Sequence, residues 1–185
     1  MLSFASITDW EAWLEIHHTD TPGIWLKTAK KETRIASVSY AEALEIALCF
    51  GWIDSHKTKF DEQYWLQKFT PRRKGSAWLR VNQEKVAQLI AQGRMRDAGL
   101  REIERAKVNG QWESAYESQG KITVPDDFTA LLAENPEAKT FFEQLDSANR
   151  YAVLYRVTTA KKPQTRIDRM LKFIARLNNH EKIHN

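Results

Sequence analysis

Three cations stand side by side in Pro71-Arg72-Arg73-Lys74-Gly75-Ser76. Adjacent like charges repel, so folding alone gives little reason to group them. An anion gives one. Arg72 and Arg73 offer planar guanidinium forks that match phosphate or carboxylate geometry, and Lys74 adds a point charge. Gly75 and Ser76 add backbone N–H and hydroxyl donors. Trp65, Phe69 and Trp78 flank the segment, and aromatics interleaved with cations suit stacking on bases or rings. The competing reading is a solvated basic turn whose aromatic neighbours belong to the core.

A second constellation is Trp52, Asp54 and His56, which alternate along an expected strand and so share one face. An aspartate beside a histidine can hold the imidazole in one tautomer for acid–base work. No Ser or Cys stands ready to complete a nucleophilic triad, and Asp54 could equally bond loop backbone or pair with an arginine. The single cysteine, Cys49, lies between Leu48 and Phe50 on an expected helix, where a thiol acts as a small hydrophobe. His17, His18 and Asp20, and His180 with His184, are the metal-like sets. None has a zinc-site signature, so no metal is expected. No glycine-rich phosphate fingerprint occurs, and no cofactor is expected.

Charge is unevenly placed. From Asp146 onward nine Lys/Arg face three acids, a net of +6, which leaves −2 for the first 145 residues of a chain whose total is +4. Such asymmetry suggests an anionic partner for the C-terminal end. The last helix expected there puts Ile167, Met170, Leu171, Ile174 and Leu177 on one face. Arg166, Arg169, Lys172 and Arg176 fall mainly elsewhere, giving an amphipathic basic helix. Core packing accounts for its apolar residues; recruitment to anionic lipid or nucleic acid is an additional possibility.

The elements that must position these residues follow from caps and periodicity. Thr8 or Asp9 caps a helix over 7–18, with Trp10, Trp13 and Leu14 on one face. A strand is expected over 23–30. Ser39 and Glu42 form a capping box that opens a helix ending at Gly51. A hairpin over 52–60 and 63–69 turns at Asp61-Glu62. Asn82 is expected to cap a helix over 83–92 that buries Val86, Leu89 and Ile90, and another helix runs over 97–108. Pro125 and Pro136 each mark a first helical residue, with Asn135 as the second cap. Helices from Ser147 and over 164–178 complete the chain. The fold class is α+β: mostly helical, with a small antiparallel sheet in the N-terminal half and a helical C-terminal subdomain. The expected division is 1–112, a linker over 113–123, and 124–185. At 185 residues with 42% apolar content and seven tryptophans, the chain can bury a substantial core. The first residues lack a basic region followed by a long apolar run, so a cytoplasmic location is expected.

Several segments resemble the YdeI/OmpD-associated (OmdA, bacteriocin-protection) family. They are Tyr40 to Asp54; Phe69 to Trp78 followed by Asn82; Gly93-Arg94-Met95 with Ala98-Gly99-Leu100; and, near the C-terminus, Val124 to Phe128, Pro136-Glu137-Ala138, Lys161 and Thr165-Arg166 with Arg169. One departure is Leu79, which stands where the family pattern has a serine. The resemblance implies an intracellular α+β protein of stress-resistance type. The family name implies association with an outer-membrane porin and resistance to bacteriocins or antimicrobial peptides.

Together these readings predict a stress- or bacteriocin-protection-type protein that binds an anionic ligand or partner through its basic loop. The candidate contacts are Arg72, Arg73, Lys74, Ser76, Trp52, Asp54, Trp78, Lys161 and Arg166. Two alternatives stand beside it: a nucleic-acid-binding protein using the basic loop and last helix, and an enzyme acting on a small anion with Asp54 and His56 as its acid–base pair.

Overall fold

The computed structural model describes residues 1–184. It divides into two compact units, Met1–Glu113 and Ser114–Asn185. The architecture is α+β, with eight helices and one three-stranded antiparallel sheet among the described residues.

The first unit begins with α1 (Ile7–His17). Ser6 caps it through a complete capping box with Asp9, two residues before Thr8, the earlier of the expected caps. Strand β1 (Ile24–Ala29) follows, then a short 3-10 turn over Lys31–Thr33. Helix α2 (Tyr40–Cys49) starts at the expected box, in which Ser39 accepts from the Glu42 N–H and Glu42 from the Ser39 N–H. The pairing of Ser39 and Glu42 holds the Glu42 carboxyl below its usual range. Strands β2 (Trp52–Lys59) and β3 (Tyr64–Pro71) form the hairpin, and the sheet order is β1-β3-β2. Its core-facing residues include Leu26, Gln67 and Phe69, all buried.

Trp10 and Leu14 of α1 are fully buried between this sheet and α2. The Trp10 indole N–H donates to the Ala43 carbonyl at 3.0 Å, and that of Trp52 to the His18 carbonyl at 3.1 Å. Both large apolar bodies thus reach a polar partner, as a buried indole requires. Helix α3 (Arg80–Ala91) starts at Leu79 without a side-chain cap, and the expected cap Asn82 is instead a buried residue inside its first turn. Val86 and Leu89 are buried, but Ile90 is exposed because the face that meets the core is narrow, running through Asn82, Val86 and Leu89. Helix α4 (Asp97–Val108) closes the unit.

Two glycines set the approach of α4 to the end of α2. A side chain at Gly99 would meet the Cys49 carbonyl oxygen at 2.3 Å and that of Leu48 at 2.8 Å. Gly51, at φ +73°, stops α2 in the left-handed region and lies against Glu102 and Ala98. Backbone therefore meets backbone, and the Arg96 N–H donates to the Cys49 carbonyl at 3.2 Å.

The second unit holds α5 (Asp126–Ala133), α6 (Pro136–Gln144), α7 (Ser147–Thr158) and α8 (Pro163–Asn178). Pro125 is the cap of α5 rather than its first residue, while Pro136 opens α6. Asn135 precedes α6, but its side chain donates to the Leu131 carbonyl and so does not cap it. Asp146 caps α7 by accepting from the Asn149 N–H at 2.8 Å. The core joins Phe128, Phe142, Val153, Leu154, Val157, Phe173, Ile174 and Leu177. Ile167 and Leu171, placed on the apolar face by periodicity, are about half exposed. The stretch after Ser114 packs within this unit: Tyr116 meets Tyr155 edge-on at 4.8 Å, and the Tyr151 hydroxyl donates to the Glu117 carbonyl. Burial pushes the Tyr151 phenol up to about 12.

Candidate functional site

The basic loop after β3 is held in place by its own residues. Arg72 is 6% exposed and its guanidinium lies 3.6 Å from the Trp78 ring centroid. It donates to the Ala77 carbonyl at 3.2 Å, and its backbone N–H to Gly51 at 3.0 Å. Trp78 is buried and meets Trp112 edge-on at 4.9 Å. A tight turn follows, with the Arg73 N–H donating to Ser76 Oγ at 2.9 Å and the Ser76 N–H to the Arg73 carbonyl. Asn109, the C-cap of α4, donates to the Lys74 carbonyl at 2.8 Å. Arg73 and Lys74 are exposed, so the three cations differ in role: Arg72 is packed scaffold and the other two stand in solvent. Phe69 and Trp78 are core residues and Trp65 is half-buried, so they do not form an open stacking platform.

Helix α4 supplies residues that the sequence reading missed. Ala98, Arg101, Glu102, Arg105, Ala106 and Asn109 repeat at helical spacing and form one stripe. Arg105 donates to the Arg72 carbonyl at 3.0 Å and pairs closely with Glu102. Burial raises the Glu102 carboxyl above its usual value, against the pull of Arg105, Arg72 and Arg101. The depression beside the loop is lined by Arg72, Arg73, Lys74, Ser76, Arg105 and Asn109. On the other side of Arg72 and Glu102 lies a hollow of about 160 Å³ that takes in His18, Phe50, Trp52 and Arg101. It shares His18, Phe50, Ala98 and Arg101 with an open groove of about 420 Å³ reaching Glu15, Met95 and Arg96. Arg96 is paired with Glu11 at 2.9 Å.

His18 is fixed at this groove. Its Nδ1 lies 2.9 Å from the Leu14 carbonyl, which can only accept, so Nδ1 carries the hydrogen. The neutral ring then presents Nε2 as an acceptor. Its neighbour His17 pairs with Asp20 at 3.2 Å. Among the described residues no three His, Cys, Asp or Glu side chains gather as a metal site.

The other sequence candidates fall elsewhere. Trp52 is buried in the tryptophan cluster of α1, although its edge reaches the hollow. Asp54 accepts from the Tyr40 hydroxyl at 2.9 Å. Burial and the Asp54 charge raise the Tyr40 phenol well above its ordinary value. A register shift between Asp54 and Lys57 interrupts the strict alternation, so the acid–base reading of Asp54 and His56 no longer rests on strand alternation. Cys49 is 1% exposed, and burial pushes its thiol up to about 11. Lys161 and Arg166 belong to the second unit, whereas the loop belongs to the first. Lys161 is exposed, whereas Arg166 binds Asp127 through two bonds of 2.7 and 2.8 Å and donates to the Val157 carbonyl. Its fork is committed internally, joining the start of α8 to the start of α5.

With this geometry in place, comparison with known proteins separates the two halves. Residues 2–102 match the family described as a domain of unknown function, DUF8412, and residues 121–180 match that described as bacteriocin-protection, YdeI or OmpD-associated (OmdA). The chain belongs to the DUF8412 family, whose match covers more than half of it, and residues 121–180 are similar to the bacteriocin-protection, YdeI or OmpD-associated family. The N-terminal segments that resemble the latter family thus fall within the separate DUF8412 match, and the C-terminal ones within residues 121–180. No curated protein and no solved structure matches the chain. Among the described residues no helix is long and apolar enough to cross a membrane.

Proposed function

We propose that the protein, of bacteriocin-protection type by family, works by binding a small anionic ligand on its first unit, at the loop and groove bordered by Arg73, Lys74, Arg101, Arg105 and His18. The observation that carries this reading is the gathering of cations around a loop whose backbone is held. Arg72 stacked on Trp78, the Ser76 turn and the Asn109 bond hold the loop. Five cations, Arg72, Arg73, Lys74, Arg101 and Arg105, therefore gather around the single acid Glu102 in the two adjoining depressions. A loop backbone held in place loses little entropy on binding, which favours affinity for an anion. Cations concentrated at one held loop also favour a small ligand over the diffuse, salt-sensitive attraction expected for nucleic acid.

A second reading has its own support. The Nδ1–H of His18, held by the Leu14 carbonyl, leaves Nε2 as a base within reach of a ligand bound near Arg101. An enzyme acting on a small anion would use His18 for proton transfer, in place of Asp54 and His56.

Tryptophan fluorescence tests the binding reading, since all seven tryptophans lie between Trp10 and Trp112. Titration with small phosphates and carboxylates should give a saturable change, at least tenfold weaker in Arg73→Glu with Arg101→Gln. Unchanged affinity in that double variant refutes the site. If a ligand found in this way is turned over, loss of turnover with retained binding in His18→Gln would establish the enzymatic reading.

A further inference from the structure

The second unit carries a separate cationic cleft that the first-unit site does not use. Arg169, Lys172 and Arg176 stand at i, i+3 and i+7 on α8 and so share one stripe. With Arg156 of α7, Phe173 and Ile183 they line a cleft of about 340 Å³, within the size range of small-molecule sites. Phe173 is 6% exposed and supplies an apolar floor.

The arginines are oriented chiefly by backbone. Arg156 donates to the Ala152 carbonyl at 2.9 Å, Arg169 to the Arg156 carbonyl at 2.6 Å, and Arg176 to the Lys182 carbonyl at 2.7 Å. Carbonyls fix direction without cancelling charge. One acid, Glu181, pairs with Arg176 at 3.2 Å. Four cations against one acid leave the cleft about three charges positive. A guanidinium has five N–H donors, and these contacts engage one or two of each.

The rim is preformed as well. Buried Asn149 of α7 accepts from the Ile183 and His184 N–H groups at 2.9 and 2.8 Å, which ties the tail to α7. Like charges on one helix stripe weaken the helix, so the stripe has a cost that core packing does not explain. The apolar face of α8, Met170, Phe173, Ile174 and Leu177, already accounts for its packing.

We propose that this cleft binds a phosphate-bearing anion, a phosphomonoester or diphosphate, between Arg156 of α7 and Arg169, Lys172 and Arg176 of α8. A carboxylate brings one charge in one plane. A phosphate brings up to two charges and oxygens that diverge in three directions, which suits donors arriving from two helices.

Calorimetric titration of the full chain with inorganic pyrophosphate tests this, in a background of Arg73→Glu and Lys74→Glu that weakens the first-unit site. Sedimentation with phosphatidic acid vesicles against phosphatidylcholine vesicles tests whether the phosphate is free or carried by lipid. Saturable binding to pyrophosphate or to phosphatidic acid is expected. Lys172→Glu, at an exposed position, should weaken it at least tenfold with the circular dichroism spectrum unchanged, and Arg156→Gln should weaken it severalfold. The vesicle arm then assigns the source. No binding to either probe at millimolar phosphate overturns the proposal. So does binding that survives both substitutions, or binding confined to single-stranded DNA.

Discussion

Replacing Arg72 by alanine should destabilise the first unit, although it removes a charge from a run of three. The stack on Trp78 is shielded from water, and such a cation–π contact contributes about 2 kcal/mol. The bond to the Ala77 carbonyl comes from a charged donor, worth roughly 1.5–3 kcal/mol. Against these, the substitution frees a desolvated guanidinium and relieves repulsion from Arg73 and Arg105. A net loss of about 2–3 kcal/mol is expected, within the range of buried-network mutations. Arg73→Ala should stay within about 0.5 kcal/mol, as at an ordinary surface position. Arg72→Lys should recover only part of the loss, because an ammonium offers no planar face to the indole. Urea unfolding followed by tryptophan emission is the assay. All the tryptophans lie in the first unit, so the transition belongs to that unit even if the second melts separately. A midpoint for Arg72→Ala equal to that of Arg73→Ala would refute the scaffold role and return Arg72 to the exposed cations.

Gly99→Ala should cost about 1–3 kcal/mol, since the added methyl meets backbone carbonyls that cannot swing aside; a chemical melt matching the wild type would show that α4 can back away from α2. Asp127 is held below its usual carboxyl range, first by its hydrogen bonds to Arg166. Its folded value is lower than its unfolded one, so its contribution is complete above about pH 4 and disappears as pH falls through the folded value. The difference in melting temperature between wild type and Asp127→Asn should therefore shrink steadily below pH 4, and a constant gap would contradict the pairing. Cys49 should resist thiol reagents at pH 8 until the first unit unfolds, because its thiol is buried and titrates near 11; rapid labelling of native protein would overturn that.

Much of the scaffold was legible from local chemistry. The Ser39–Glu42 box, Gly51 and the Asp61-Glu62 turn act over a few residues, and each marks its element correctly. Caps were read less well where several residues could serve. Ser6 rather than Thr8 or Asp9 opens α1, and Asn82 is buried inside α3 instead of capping it. The basic loop was visible as a run of charge, but the separation of Arg72 from Arg73 was not. That separation comes from Trp78, which follows by only six residues yet is positioned by Trp112 and the end of β3. The alternation argument for Asp54 and His56 failed because one bulge shifts the register, and nothing in the strand's composition signals it. His18 was noted only in a metal-like set, and Arg101 not at all, for a longer-range reason: they meet only when the end of α1 comes beside α4. The one trace available was the small-and-charged stripe along α4, from Ala98 to Asn109, which is too polar for a core face and too regular for chance.

The contact of α4 with the end of α2 through Gly51 and Gly99 has a dynamic consequence. Two helices separated by side chains can slide as rotamers hop, but two backbones in direct contact have no such lubricant. Phe50 on one element and Ala98, Arg101 and Glu102 on the other therefore behave as one rigid jaw. Its amides should exchange with solvent only when the whole unit opens, as in the most protected class of native hydrogens. A ligand would then meet a mould already set, with association governed by diffusion and charge, and selectivity expressed in how slowly it leaves.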